Sequence, residues 1–344
     1  MSLLFFDGFD WIPNGVSTSD QTSYAMGWDE FSVNFFYAND RTGRNPGSYA
    51  YPSDNNNYLI KYLSINEGTI FFACNFKVTG AGNTTPFLRF LDGTTVQSSF
   101  GFNSSNKLTF YNGTGTLVNT SSNAFTTGQW YWMCLKVVFG TSGSYEVRIN
   151  GTNWLSGIGV STITTSNSFC NRFQLGVSGD PSYYVDDMIL YDNSGLLPFN
   201  DFITERQIIT KFVTSNDNVT GWTASSGTAS QCVDDSSLNN DSDYIVSDQS
   251  GLPATFNYDN SFPLTGAFNA VKIHALCRSE EPTSRVVSGA IKIGSTVYTG
   301  SGVAPDPSIN YKDCFYQFEK NPATSGTISG ATLNSAKIGV QIIN

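Results

Sequence analysis

The chain has 344 residues, of which 40% are hydrophobic, 14% aromatic and only 13% charged, with 28 acidic against 18 basic side chains and a formal net charge of −10. The hydrophobic share is enough for a real core, and the charged share is about half the usual one. The acidic balance excludes a nucleic-acid binder, which needs a basic footprint; it is compatible with calcium, with a basic protein partner, or with solubility alone.

Abundant Gly, Ser, Thr and Asn with many aromatics describe twisted sheets joined by polar turns, not helices. The six cysteines, Cys74, Cys134, Cys170, Cys232, Cys277 and Cys314, form no Cys-x-x-Cys pair, so structural zinc is not expected. Cys74, Cys134 and Cys277 lie in apolar runs and read as buried free thiols. Met1-Ser-Leu-Leu-Phe-Phe-Asp lacks the basic region of a signal peptide. No stretch approaches the ~20 apolar residues of a membrane span. The expectation is a soluble protein made in a cytoplasm.

In chain order, Leu3-Leu-Phe-Phe predicts a buried strand and residues 28–37 a second segment. Residues 39–57 form a turn-rich loop, a candidate contact surface. Strands follow at 58–62, 69–78, 87–91, 96–103 and 107–112, with turn signals at Asp92-Gly93 and Asn112-Gly113. In Gln129-Trp-Tyr-Trp-Met-Cys-Leu-Lys-Val-Val-Phe, alternation puts Trp130, Trp132, Cys134, Lys136 and Val138 on one face. Tyr131, Met133, Leu135, Val137 and Phe139 take the other. Both faces are largely apolar, so this strand is expected between two layers. Tyr145, Val147 and Ile149 alternate with Glu146, Arg148 and Asn150 in a half-exposed strand ended by Asn150-Gly151. Segments 169–176 and 183–191 close a β-sandwich or jelly roll. Beyond 192, Ile203, Ile208, Ile209, Phe212 and Val213 suggest a strand. Further strands at 256–258, 267–278, 286–293, 296–300, 311–320 and 336–343 predict a second, smaller β-sandwich.

The succession Gln-Trp, apolar strand, glycine turn, Glu146-Val-Arg-Ile-Asn-Gly and Val185-Asp-Asp-Met-Ile-Leu-Tyr-Asp resembles the concanavalin A-like (laminin-G-like) jelly roll over about 1–195. That resemblance implies an all-β chain: a jelly-roll domain at 1–195, a linker at 196–204 and a β-sandwich domain at 205–344. Members of that family bind glycans, proteins or calcium, and some cleave polysaccharides. The layout also resembles tailed-phage virion proteins, through Leu196-Leu-Pro-Phe-Asn-Asp-Phe, Gly221-Trp-Thr-Ala-Ser-Ser-Gly, the 232–245 loop and Phe318-Glu-Lys-Asn-Pro-Ala-Thr-Ser-Gly. The implied role is a non-enzymatic virion structural protein, as a capsid decoration, head-fibre or tail-fibre component. Its implied partners are other virion proteins, in a homo-oligomer with a trimer favoured. The alternative is a carbohydrate-binding adhesin for a host surface glycan.

Catalytic chemistry finds little support in the residues. The one histidine, His274, lies near Lys272 and Arg278 without a Gly-x-Ser-x-Gly elbow. Retaining glycosidases of this fold class resemble Glu-x-Asp-x-x-Glu, with two carboxyls ~5 Å apart. Here Glu30, Glu67 and Glu146 stand alone, and Glu280-Glu281 falls in a turn. Asp186 and Asp187 are expected on opposite faces of one strand, one bonding a loop and the other facing solvent. A polysaccharide-degrading enzyme is therefore disfavoured. Calcium, which takes six to eight oxygens, would draw on Asp234, Asp235, Asp241 and Asp243, or on Asp180 and Asp187. Trp11, Tyr49, Tyr51 and Tyr183 are the aromatics that could stack on sugar rings.

Overall fold

The computed structural model describes residues 2–10, 27–31, 50, 58–80, 86–176, 182–195, 197–234, 242–279, 285–305 and 311–344. These fall in two compact units that divide at residues 209 and 210, with 24–27 counted in the second. The chain is all-β.

In the first unit the described strands are β1 (Leu3–Asp7), β2 (Glu30–Phe31), β3 (Leu59–Glu67), β4 (Thr69–Val78), β5 (Pro86–Asp92), β6 (Thr95–Phe102) and β7 (Lys107–Asn112). They continue with β8 (Leu117–Ala124), β9 (Trp130–Val138), β10 (Gly143–Ile149), β11 (Thr152–Val160), β12 (Cys170–Leu175) and β13 (Tyr183–Tyr191). Two sheets form, in the orders β1-β13-β4-β9-β10-β11 and β2-β3-β12-β5-β6-β7-β8. Sequence neighbours are split between the sheets, which gives a jelly-roll sandwich rather than a simple meander.

Aromatic side chains fill the space between the sheets. Phe72 stacks on Phe173 at 5.2 Å, Phe76 lies 4.9 Å from Phe87, and Phe110 stacks on Tyr145 at 3.8 Å between ring centroids. Burying each such side chain contributes roughly 1.5–3 kcal/mol. The β10–β11 hairpin turns on Asn150 and Gly151, both at positive φ (49° and 81°), which is the type I′ geometry that Asn-Gly favours.

The expectation for β9 holds. Phe76 pairs with Tyr131 and Phe72 with Leu135, so Tyr131, Met133, Leu135 and Val137 face the core. Trp132 and Cys134 face away from it yet are buried. Their cover is the segment 197–209, and here the expected linker at 196–204 is corrected. Phe199 and Ile203 are buried, Trp132 Nε1 donates to the Ile203 carbonyl at 2.9 Å, and Tyr191 Oη donates to the Asp201 carbonyl at 2.9 Å. Phe202 meets the Phe71 ring edge-on at 5.6 Å and takes the Arg148 guanidinium over its face at 3.8 Å. The strand expected from Ile203 to Val213 is corrected too. Residues 202–212 form no strand; Ile203 is buried and Phe202 packs on Phe71 of the neighbouring sheet, while Ile209 stays exposed.

In the second unit the main sheet is built from β14 (Val213–Asn218), β17 (Pro253–Tyr258), β20 (Val287–Ile293), β21 (Thr296–Thr299) and β24 (Lys337–Ile342), in the order β14-β17-β24-β20-β21. A two-stranded ribbon of β19 (Val271–Cys277) and β22 (Lys312–Phe318) lies against it. The small ribbons β15–β16 (Thr223–Ala224, Ile245–Val246) and β18–β23 (Ala267–Phe268, Ile328–Ser329) complete the set. A short helix at Gly330–Ser335, capped by the Ser329 side chain, was not foreseen from the sequence. The core gathers Ala254, Phe256, Val287, Cys314, Val340 and Ile342 in one cluster and Ile273, Ile291, Phe318, Ile328, Leu333 and Ala336 in another. Gly289 makes the ribbon's close approach possible: a Cβ there would lie 2.4 Å from the Ile273 carbonyl oxygen.

Candidate functional site

The outer face of the seven-stranded sheet carries a register that reads straight across it. Leu59, Leu175, Leu88, Phe100 and Phe110 pair in one row and face the core. The pleat sends the adjacent row to the other face. That row runs Glu30, Ile60, Gln174, Arg89, Ser99, Tyr111 and Leu117, one residue from each strand. At about 4.8 Å between strands it spans on the order of 30 Å. Beside it, Tyr62 pairs with Arg172, and Gly101 pairs with Thr109.

Arg89 occupies the middle of this row, in the otherwise apolar strand Pro86-Phe-Leu-Arg-Phe-Leu-Asp. Its guanidinium is partly buried, makes no ion pair or hydrogen bond to the described residues, and is held below its ordinary pKa by that burial. Arg172 is committed instead: it lies 4.2 Å over the Tyr62 ring and 3.4 Å from Glu30 Oε1. Gln174 donates Nε2 to the Gly176 carbonyl at 3.0 Å, which leaves its carbonyl oxygen as an acceptor. Ser99, Thr109 and Tyr111 are buried, and Thr109 Oγ1 has no hydrogen-bond partner. A cation with no partner among the described residues, flanked by amide, hydroxyl and phenol groups, can accept an anion and hydrogen-bond its substituents. The signal for it in the sequence was a lone arginine inside an apolar strand, and sequence reasoning passed over it.

The residues singled out from the sequence are placed as follows. Tyr183 is a core residue, 6% exposed, stacked on Phe76 at 5.6 Å and packed against Phe87 and Phe102. It cannot stack on a sugar. Trp11, Tyr49 and Tyr51, and nearly all of the 39–57 loop, lie outside the described residues, as do Asp180, Asp235, Asp241 and Glu280-Glu281. Asp234 is exposed and Asp243 partly so. Among the described residues no three His, Cys, Asp or Glu side chains gather as a metal set.

Asp186 and Asp187 are both 2% exposed, which corrects the expectation that one faces solvent. A β-bulge between Asp186 and Ile189, with Asp187 at φ 51°, breaks the alternation, and Asp187 reaches Asn75 and the covering segment. Asp187 accepts from Asn75 Nδ2 at 3.0 Å and from the Ile208 backbone N–H at 2.6 Å, so it fastens the covering segment. His274 Nδ1 lies 3.4 Å from Asp313 Oδ1, and Lys272 Nζ pairs with the same carboxylate at 3.0 Å. The Lys272 charge and hydrogen bonding from Lys272 and His274 outweigh burial and hold Asp313 down at about 2. Glu146 pairs with Arg148 at 2.6 Å. Glu67 is 5% exposed, and burial, with the Asp192 carboxylate nearby, pushes it up to about 7.

No family model and no curated protein matches this sequence. Among solved structures the chain is similar to an alginate lyase, Aly36B, at 12% identity and a TM-score of 0.37, over 55% of this chain and 96% of that one. It is similar to the carbohydrate-binding module CBM66 from Bacillus subtilis at 11% identity and a TM-score of 0.30, over 42% and 87%. It is also similar to the Trypanosoma rangeli sialidase in complex with sialic acid at 12% identity and a TM-score of 0.32. That match covers 42% of this chain and spans only 25% of the sialidase. Likenesses at this level carry no inference about what this chain does.

Proposed function

We propose that the first unit is a non-catalytic binding module for an anionic glycan, held along the outer face of the seven-stranded sheet with Arg89 at its centre. The observation that supports this is Arg89 itself: a partly buried cation, without a carboxylate partner among the described residues, in a chain of net charge −10. Acidic side chains are plentiful in this sequence, and none of the described ones neutralises Arg89. A guanidinium presents a planar fork of donors that matches a carboxylate or sulfate. Gln174 stands on one side of Arg89 in the row and Ser99 and Tyr111 on the other, all largely buried, and Tyr62, 37% exposed, adds an aromatic surface beside it.

Calorimetric titration with uronate-bearing and neutral oligosaccharides tests the reading. Binding of the acidic series is expected, weakening with salt and falling at least tenfold in Arg89→Ala, with part of the affinity kept in Arg89→Lys. Removing a partly buried cation that no described carboxylate pairs should leave the fold intact or slightly steadier. Failure of the whole acidic series to bind, or an Arg89→Ala protein that binds as well as the parent, overturns it. Release of shortened or unsaturated products from a bound glycan would overturn the non-catalytic part.

The setting we propose is the one the motif resemblance implies, a homo-oligomeric virion component that displays the module. Support for it is in the sequence motifs alone. Cryo-electron microscopy of a particle carrying the protein tests it, with two-sandwich density on a head, neck or fibre expected; a particle lacking the protein overturns it.

A further inference from the structure

Strands β19 and β22 pair without a break from Val271 opposite Phe318 to Cys277 opposite Lys312. In this register Ala275 stands opposite Cys314, and Cys277, two residues along, shares its face. Cys277 and Cys314 are therefore diagonal neighbours on one face of the ribbon, and both pack in the same apolar cluster. Cys314 is fully buried in the cluster of Ala254, Phe256, Val287, Val340 and Ile342, and Cys277 packs on the same cluster from a less buried position. Cys74 and Cys134 show the contrast. They also lie on paired strands, yet Cys74 faces Met133 and Cys134 faces Ala73, so their thiols leave the sheet on opposite sides.

We propose that Cys277 and Cys314, reduced in this structure, form a reversible disulfide that clamps β19 to β22 when a small-molecule disulfide such as oxidised glutathione is present. The less buried Cys277 thiolate attacks one sulfur of that oxidant. The oxidant's S–S bond breaks and one glutathione thiolate leaves. The Cys314 thiolate then attacks the Cys277 sulfur and expels the second glutathione. Two protein thiols are oxidised, one glutathione disulfide is reduced to two thiols, and the two protons lost by the cysteines are taken up by the departing thiolates. Diagonal neighbours start from a wider separation than relaxed disulfide geometry prefers. The bond is accordingly strained and easily reduced, which makes it a redox-responsive clamp rather than a permanent staple. The neighbouring Cys314 and burial hold the Cys277 thiol well above its usual range, so oxidation is slow near neutrality and quickens as pH rises.

The test uses the full chain, equilibrated with oxidised glutathione at about pH 8.5, the pKa of a free thiol, or with dithiothreitol, then alkylated and mapped by mass spectrometry. The expected result is a Cys277–Cys314 cross-linked peptide in the oxidised sample and two alkylated cysteines in the reduced one. The unfolding midpoint should rise by about 5 °C on oxidation, a rise that Cys277→Ser removes. Because Cys314→Ser replaces a buried residue and could impair folding, the peptide map of the parent protein decides the matter. Recovery of both cysteines alkylated after oxidation, or of Cys277 as a stable glutathione adduct beside an alkylated Cys314, overturns the proposal.

Discussion

Glu67 shows how one side chain can set a pH dependence. Its carboxyl is pushed up to about 7 by burial and by the Asp192 carboxylate, against 4.5 for an unperturbed glutamate. Below pH 4.5 both folded and unfolded chains hold the proton. Between 4.5 and 7 the unfolded chain has released it while the folded one has not, so stability falls as pH rises and the loss is complete above 7. Glu67→Gln keeps the neutral form at every pH. It should remove this slope and stabilise the protein at pH 8 by roughly 1–2 kcal/mol, as read from urea unfolding at pH 5 and pH 8. Asp187 is buried and fully partnered. Its buried carboxylate holds Asn75 and the Ile208 N–H, from a left-handed backbone position that Asp tolerates. Asp187→Ala leaves those donors unmet and should cost about 2–4 kcal/mol in denaturant unfolding.

At the scale of the element, β9 is the centre of the first unit because it is apolar on both faces and both are covered. One face meets the aromatic core, and the other meets the segment 197–209 through Trp132 and the Ile203 carbonyl. Trp132→Phe keeps most of the ring and removes the N–H. The expected loss is about 1 kcal/mol, with Ile203 becoming more open to hydrogen–deuterium exchange. The double-sided pattern of β9 was legible in the sequence because strand periodicity is local. The identity of its cover was not. Residues 202–213 are apolar enough to read as one strand, yet 202–209 lie on a neighbouring sheet of the first unit and only Val213 enters a strand, β14. The same limit applies to Asp186-Asp187: alternation places them on opposite faces, and the bulge that breaks it meets Asn75 and Ile208, far away in sequence.

For the whole molecule, the boundary falls at residue 209 rather than 195, and this has a measurable consequence. A fragment of residues 1–209 should fold and melt cooperatively. A fragment ending at 195 would uncover Phe71, Trp132, Cys134 and Tyr191 and should be aggregation-prone, with circular dichroism and light scattering as the readouts. By itself the sequence determined an all-β chain, most strands of the jelly roll though not β8 or β11, the two faces of β9 and the Asn150-Gly151 hairpin. Each is set by composition, by alternation over a few residues or by turn chemistry, which act along the chain. The tertiary structure decided which apolar segments cover which sheet, that Tyr183 is core, and that Cys277 and Cys314 share a face. It also decided that Gln174, Arg89, Ser99 and Tyr111, drawn from strands scattered over nearly ninety positions, stand in one row. Cross-strand register follows from packing among distant strands, and a single arginine in an apolar strand becomes a candidate site only once its neighbours across the sheet are known.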